Sequence, residues 1–129
     1  MSKKILIVDD EPHIRALLEQ ALEDLEDEGV ELLSAGNGLD AWAIAQKKSP
    51  DLIILDVMMP RMSGYEVCER IKSEPALDNT YVIMLTAKGQ ETDRQRGEQA
   101  GADEYVTKPF DPDYLIERAE SVLDTSLSQ

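Results

Sequence analysis

Lys4-Ile5-Leu6-Ile7-Val8-Asp9-Asp10 is an apolar run that ends abruptly in two acids. The pattern repeats at Leu52-Ile53-Ile54-Leu55, closed by Asp56, and at Tyr105-Val106-Thr107, closed by Lys108. Short apolar runs bounded by turn residues and alternating with helical patterns read as buried parallel strands. The carboxyl ends of such strands line the ligand crevice of an open α/β sheet. Three acids and one lysine would therefore share one rim. Two carboxylates about 4 Å apart repel by about 4 kcal/mol at an effective dielectric of about 20, so three clustered acids demand a cation. The cluster reads as a Mg²⁺ site built to receive a phosphoryl group.

Between these strands the periodicity changes. Ile14, Leu17, Leu18, Ala21, Leu22 and Leu25 fall on one helical face, which predicts a helix from Pro12 to Glu26, with Pro12 suited to its first turn. Gly29 ends that pattern, and residues 30–35 read as a second strand. Gly36-Asn37-Gly38 is then a turn before a helix from about Leu39 to Lys48, stopped by Ser49-Pro50. After Asp56, the stretch from Val57 to Gly64 is a loop broken by Pro60 and Gly64, followed by a helix from about Tyr65 to Ser73. Tyr81 to Leu85 predicts a fourth strand. The segment from Lys88 to Ala100 has almost nothing apolar, so a helix there is expected to be the most mobile element. Asp111-Pro112 is an N-cap and first-turn pair opening a last helix through Leu123. Five strands alternating with five helices predict a doubly wound α/β domain with a parallel sheet and helices on both faces.

The chain has 129 residues, most simply one domain, with the polar end after Asp124, residues 125–129, expected to be a short fraying tail. Its 27 Asp and Glu against 13 Lys and Arg give a net charge of −14, which repels phosphate backbones and anionic membrane surfaces and argues against direct nucleic-acid binding. A lone cysteine, Cys68, excludes an internal disulfide framework and a multi-cysteine zinc site. No apolar stretch approaches the roughly 18 residues that a membrane span needs. These features point to a soluble, cytoplasmic chain.

Taken together, Asp9-Asp10, Asp56 with Met59-Pro60 and Gly64 behind it, Thr86-Ala87 after the fourth strand and Lys108-Pro109 after the fifth resemble the receiver domain of two-component response regulators. The likeness spans nearly the whole chain, with residues 1–124 as the domain. It implies a flavodoxin-like strand order of 2-1-3-4-5 with the site at the carboxyl edge of the sheet. It implies a signalling domain rather than an enzyme acting on external substrates. Asp56 would be the nucleophile, taking a phosphoryl group from a sensor histidine kinase, a phosphotransfer protein or a small donor such as acetyl phosphate. By the same resemblance, Asp10 and Asp56 ligate Mg²⁺ directly, Asp9 ligates it through water, and the backbone carbonyl of Met58 completes the protein set. Lys108 is the countercharge for the phosphoryl oxygens. The backbone of Met58 and Ala87 contacts the phosphoryl group, and the Thr86 hydroxyl senses it. Thr86 and Tyr105 form the switch, which resets the surface of the fourth helix, fifth strand and fifth helix. That surface would meet an unidentified downstream protein or output domain, or a second copy of the chain. The isomer of Lys108-Pro109 is open from sequence, though receivers usually have it cis. Met58 and Lys88 sit at the cleft mouth. An apolar Met58 cannot orient an attacking water, so slow self-hydrolysis of the aspartyl phosphate is expected.

Each residue alone has a plainer reading. Asp9 and Asp10 could be helix caps, Asp56 a turn residue, Lys108 a solvated charge, Thr86 a strand-end hydroxyl and Tyr105 a half-buried strand aromatic. Their convergence on strand ends favours a site. His13, beside Glu11 and Arg15, reads as a surface imidazole, and Met58, Met59 and Met62 as loop packing. Gly36-Asn37-Gly38-Leu39-Asp40-Ala41 fits a dinucleotide fingerprint, but it follows an edge strand and leaves Asp9, Asp10 and Lys108 unexplained. A haloacid dehalogenase type phosphatase would need an acid two residues after its nucleophile, where this chain has Met58. A non-phosphorylated interaction module would not need the intact set of acids, hydroxyl and lysine.

Overall fold

The computed structural model describes residues 3–59, 61–87 and 91–127. Five strands, β1 (Lys4–Val8), β2 (Glu31–Ala35), β3 (Leu52–Asp56), β4 (Tyr81–Ala87) and β5 (Glu104–Lys108), form one parallel sheet in the order β2-β1-β3-β4-β5. The predicted strand order is therefore borne out. Every residue of β3 is buried, as a central strand covered on both faces requires, whereas edge strand β2 buries only Ala35.

Alternation along the strands divides the core in two. Leu6, Val8, Ile53, Leu55, Val82 and Met84 face α3 (Gly38–Lys48), α4 (Gly64–Ser73) and α5 (Glu91–Ala100). Ile5, Ile7, Leu52, Ile54, Ile83 and Leu85 face α1 (Pro12–Ala21), α2 (Glu23–Asp27) and α6 (Pro112–Leu127). Full burial of one such side chain contributes about 1.5–3 kcal/mol. Together these runs hold the strand ends in register.

Two expectations need correction. The helix expected over Pro12 to Glu26 breaks at Leu22, so the described residues form six helices instead of five. Glu23, Asp24 and Glu26 would oppose the dipole at the end of one long helix; the break puts them in the first turn of a new one, where they are favourable. Leu18, Leu22 and Leu25 stay buried across the break. The last helix, expected through Leu123, runs on to Leu127, with no Gly or Pro to interrupt it. Elsewhere local signals act as read: the Asp111 side chain accepts the Asp113 N–H at 3.0 Å at the start of α6, and left-handed Ser49 closes α3 before Pro50.

Candidate functional site

Val8 pairs with Leu55 between neighbouring strands β1 and β3, so Asp9 and Asp56 emerge side by side. Carboxylate oxygens of Asp9, Asp10 and Asp56 lie within 4.8 Å of one another. Asp9 is 0% exposed and Asp56 4%, while Asp10 faces solvent. Lys108, opposite Ala87 at the end of β5, extends past β4 and donates from Nζ to Asp9 Oδ2 and Asp56 Oδ1, both at 3.1 Å. The other oxygen of Asp9 accepts the Glu11 N–H at 2.9 Å, so this residue serves the turn and the site at once.

The charges do not balance within this cluster. Burial, followed by the charge of Asp9, pushes the Asp56 carboxyl from 3.8 up to about 6, although the bond and charge of Lys108 pull it down. Burial alone would lower Lys108, yet Asp56 and Asp9 raise it above its ordinary value, so the ammonium is held charged. One ammonium against three acids leaves an excess of negative charge on hard oxygen donors. That donor set fits a small divalent ion such as Mg²⁺.

The loop beyond β3 is fixed by contacts that sequence reading did not find. A Cβ on Gly64 would overlap the Asp56 carbonyl oxygen, and its N–H donates to the Val57 carbonyl at 3.0 Å. Gly64 is thus a glycine so that α4 can start directly against the backbone of Asp56, with Ser63 capping the helix through the Glu66 N–H. Gly38 meets the Met62 carbonyl in the same way. The apparent dinucleotide motif is therefore a helix cap, Asn37 accepting the Asp40 N–H at 2.8 Å, plus a packing glycine. Arg15 also belongs to the site's surroundings: its Nη1 donates to the Asp9 carbonyl at 2.7 Å. Periodicity signals neither contact, because each depends on how a turn or loop folds back on its own strand end.

Thr86 is buried at the end of β4, one residue beyond the Leu85–Asp56 pair. Tyr105 pairs with Met84, packs against the same core as α4 and α5, and has its hydroxyl shielded from solvent. Thr86 and Tyr105 therefore share one sheet face as diagonal neighbours. The backbone of Ala87 closes β4 opposite Lys108, and the Lys108-Pro109 bond is cis. Met58 is 64% exposed at the rim, whereas Lys88 and Pro60 lie outside the described residues. His13 is an exposed imidazole 3.3 Å from Glu11. Burial pushes the Cys68 thiol up to about 12, which leaves it an inert filler against Ala100. Among the described residues no helix is long and apolar enough to cross a membrane.

Comparison with known proteins adds independent findings. A family model for the response regulator receiver domain matches residues 5–120. The chain is 45% identical over 123 residues to the phosphate regulon transcriptional regulatory protein PhoB of Pseudomonas aeruginosa, covering 95% of this chain and 52% of that protein. It is 41% identical over 126 residues to the alkaline phosphatase synthesis transcriptional regulatory protein PhoP of Bacillus subtilis, covering 98% and 50%. The signal receiver domain of a DNA-binding response regulator from Colwellia psychrerythraea matches with a TM-score of 0.86 at 31% identity, over 95% of this chain and 99% of that one. The chain spans about half the length of the curated relatives it matches.

Proposed function

The chain belongs to the response regulator receiver domain family of two-component systems, and on that premise we propose that it accepts a phosphoryl group on Asp56. The single observation that carries this reading is the meeting of Lys108 with both Asp9 and Asp56 at 3.1 Å beside Asp10. A deprotonated Asp56 oxygen attacks the phosphorus of a phosphohistidine on a partner kinase or phosphotransfer protein. The N–P bond breaks, and the histidine leaves with its electron pair and takes a proton from solvent. Lys108 faces the phosphoryl oxygens as a point charge, and the backbone N–H groups of Met58 and Ala87 donate to them. Mg²⁺, held by Asp10 and Asp56, by Asp9 through water and by the Met58 carbonyl, would offset the charge of the incoming phosphate.

Thr86 donates its hydroxyl to the product, and Tyr105 on the same face passes the change to the surface of α5, β5 and α6. Exposed, apolar Met58 offers an attacking water no partner, which favours a long-lived aspartyl phosphate. The names and lengths of the relatives support a place as the regulatory part of a transcriptional regulator, with DNA contact made by another domain. The charge of −14 agrees with that division of labour. Intact mass after incubation with acetyl phosphate tests the reading. One added phosphoryl group is expected in wild type with Mg²⁺, and none without Mg²⁺ or in Asp56→Asn; equal labelling of Asp56→Asn refutes it.

A further inference from the structure

Arg15 projects from α1 toward the turn that carries the first two acids, and donates from Nη1 to the Asp9 carbonyl at 2.7 Å. That carbonyl belongs to the peptide unit joining Asp9 to Asp10. Because a peptide unit is planar, fixing its oxygen fixes the plane from which both side chains are displayed. The N–H of Asp9 is held from the other side by the Ala35 carbonyl at 3.2 Å. Asp9 is therefore clamped at both backbone ends, and one clamp is a side chain.

Gly36, in the turn after β2, supplies a second and independent observation. A Cβ there would stand 3.1 Å from Arg15 Nη1 and 3.6 Å from its Cζ. Among the described glycines only Gly29 and Gly101 adopt the left-handed conformation that favours glycine, so at position 36 the glycine provides space rather than backbone freedom. Arg15 forms no ion pair among the described residues, so it adds no second positive charge to the three carboxylates beyond that of Lys108.

We propose that Arg15 is a positioning residue for cation binding by Asp9, Asp10 and Asp56, and that Gly36 is small to admit its guanidinium. The inference rests on the Mg²⁺ reading given above and adds a residue to it. A lysine would keep the charge but lose the planar fork that reaches the carbonyl, so it should substitute only in part.

The test is a MgCl2 titration of the ¹⁵N-labelled chain, following the amide resonances of Asp10 and Glu11, with unfolding midpoints in EDTA recorded for every variant. Arg15→Met is expected to weaken Mg²⁺ binding about tenfold, the low end for residues that orient metal ligands from behind. Arg15→Lys should recover part of that loss. Gly36→Val should weaken binding on its own and add nothing to Arg15→Met, because both remove one contact. Wild-type affinity in Arg15→Met, or a fully additive Gly36→Val, overturns the proposal. Should Arg15→Met not fold, wild-type affinity in both Arg15→Lys and Gly36→Val overturns it equally. A wild type that binds no Mg²⁺ overturns the underlying reading, and the inference with it, whereas loss confined to the variants leaves that reading intact.

Discussion

Asp56 carries a stability cost that follows from its place in the site. Burial and Asp9 raise its carboxyl from 3.8 to about 6 despite Lys108, so between those values the folded chain binds more protons than the unfolded one. Stability from this group therefore falls as pH rises from about 4 to about 6, and the full cost is present above that window. A rise of this size corresponds to about 3 kcal/mol. In EDTA, Asp56→Asn is expected to stabilise the chain by about 1–3 kcal/mol at neutral pH, with the gain vanishing near pH 4. Urea unfolding across that range checks it; an Asn variant less stable at neutral pH would show that the bond to Lys108 outweighs desolvation. The same residue thus pays in folding for a carboxylate held within the cluster of three acids.

At the scale of elements, α5 is held differently from its neighbours. Among its described side chains only Ala100 is buried. Its other ties are polar: Arg96 pairs with Glu69 of α4, and its guanidinium lies 5.1 Å from the Tyr65 ring centroid. An ion pair this exposed holds a helix weakly. By contrast, α4 is anchored through Lys72, whose Nζ donates at 2.7 Å to both the Thr80 carbonyl and Asp103. Arg96→Ala is therefore expected to speed amide exchange in α5 by about three- to tenfold while leaving β1 and β3 unchanged. Hydrogen exchange followed by mass spectrometry checks this; unaltered protection of α5 would mean that packing, not Arg96, holds the helix. A loosely held α5 fits the switching proposed for Thr86 and Tyr105. The near absence of apolar residues from position 88 to 100 made that weakness readable in the sequence, but the partner of Arg96 was not.

For the whole molecule the governing quantity is a charge of −14. At about 10 mM ionic strength the screening length is roughly 30 Å, so acids across the domain repel one another; at about 0.15 M it is roughly 8 Å. Raising KCl between these limits in EDTA is expected to lift the thermal midpoint by about 4 °C, or about 1 kcal/mol. A midpoint that falls would show that attractive ion pairs dominate instead. The fold class was legible because its signals are local and periodic: short apolar runs such as Leu52–Leu55, bounded by turn residues, read as buried strands, and helical spacing between them favours parallel order. The acids were legible because they close those runs. The break at Leu22 was not, since it turns on the balance of charges at a helix end against a face that stays buried. Local pattern therefore determined the parallel alternation and which residues stand at the strand ends, while the order of the strands followed from the resemblance to receiver domains. Only the tertiary structure decided that Lys108 bridges Asp9 and Asp56, that Gly64 lies on the Asp56 backbone and that Arg15 passes Gly36 to reach Asp9. The reach of Lys108 and the passage of Arg15 past Gly36 join segments far apart along the chain, and the approach of Gly64 to Asp56 depends on how the intervening loop folds back; no periodic pattern encodes either.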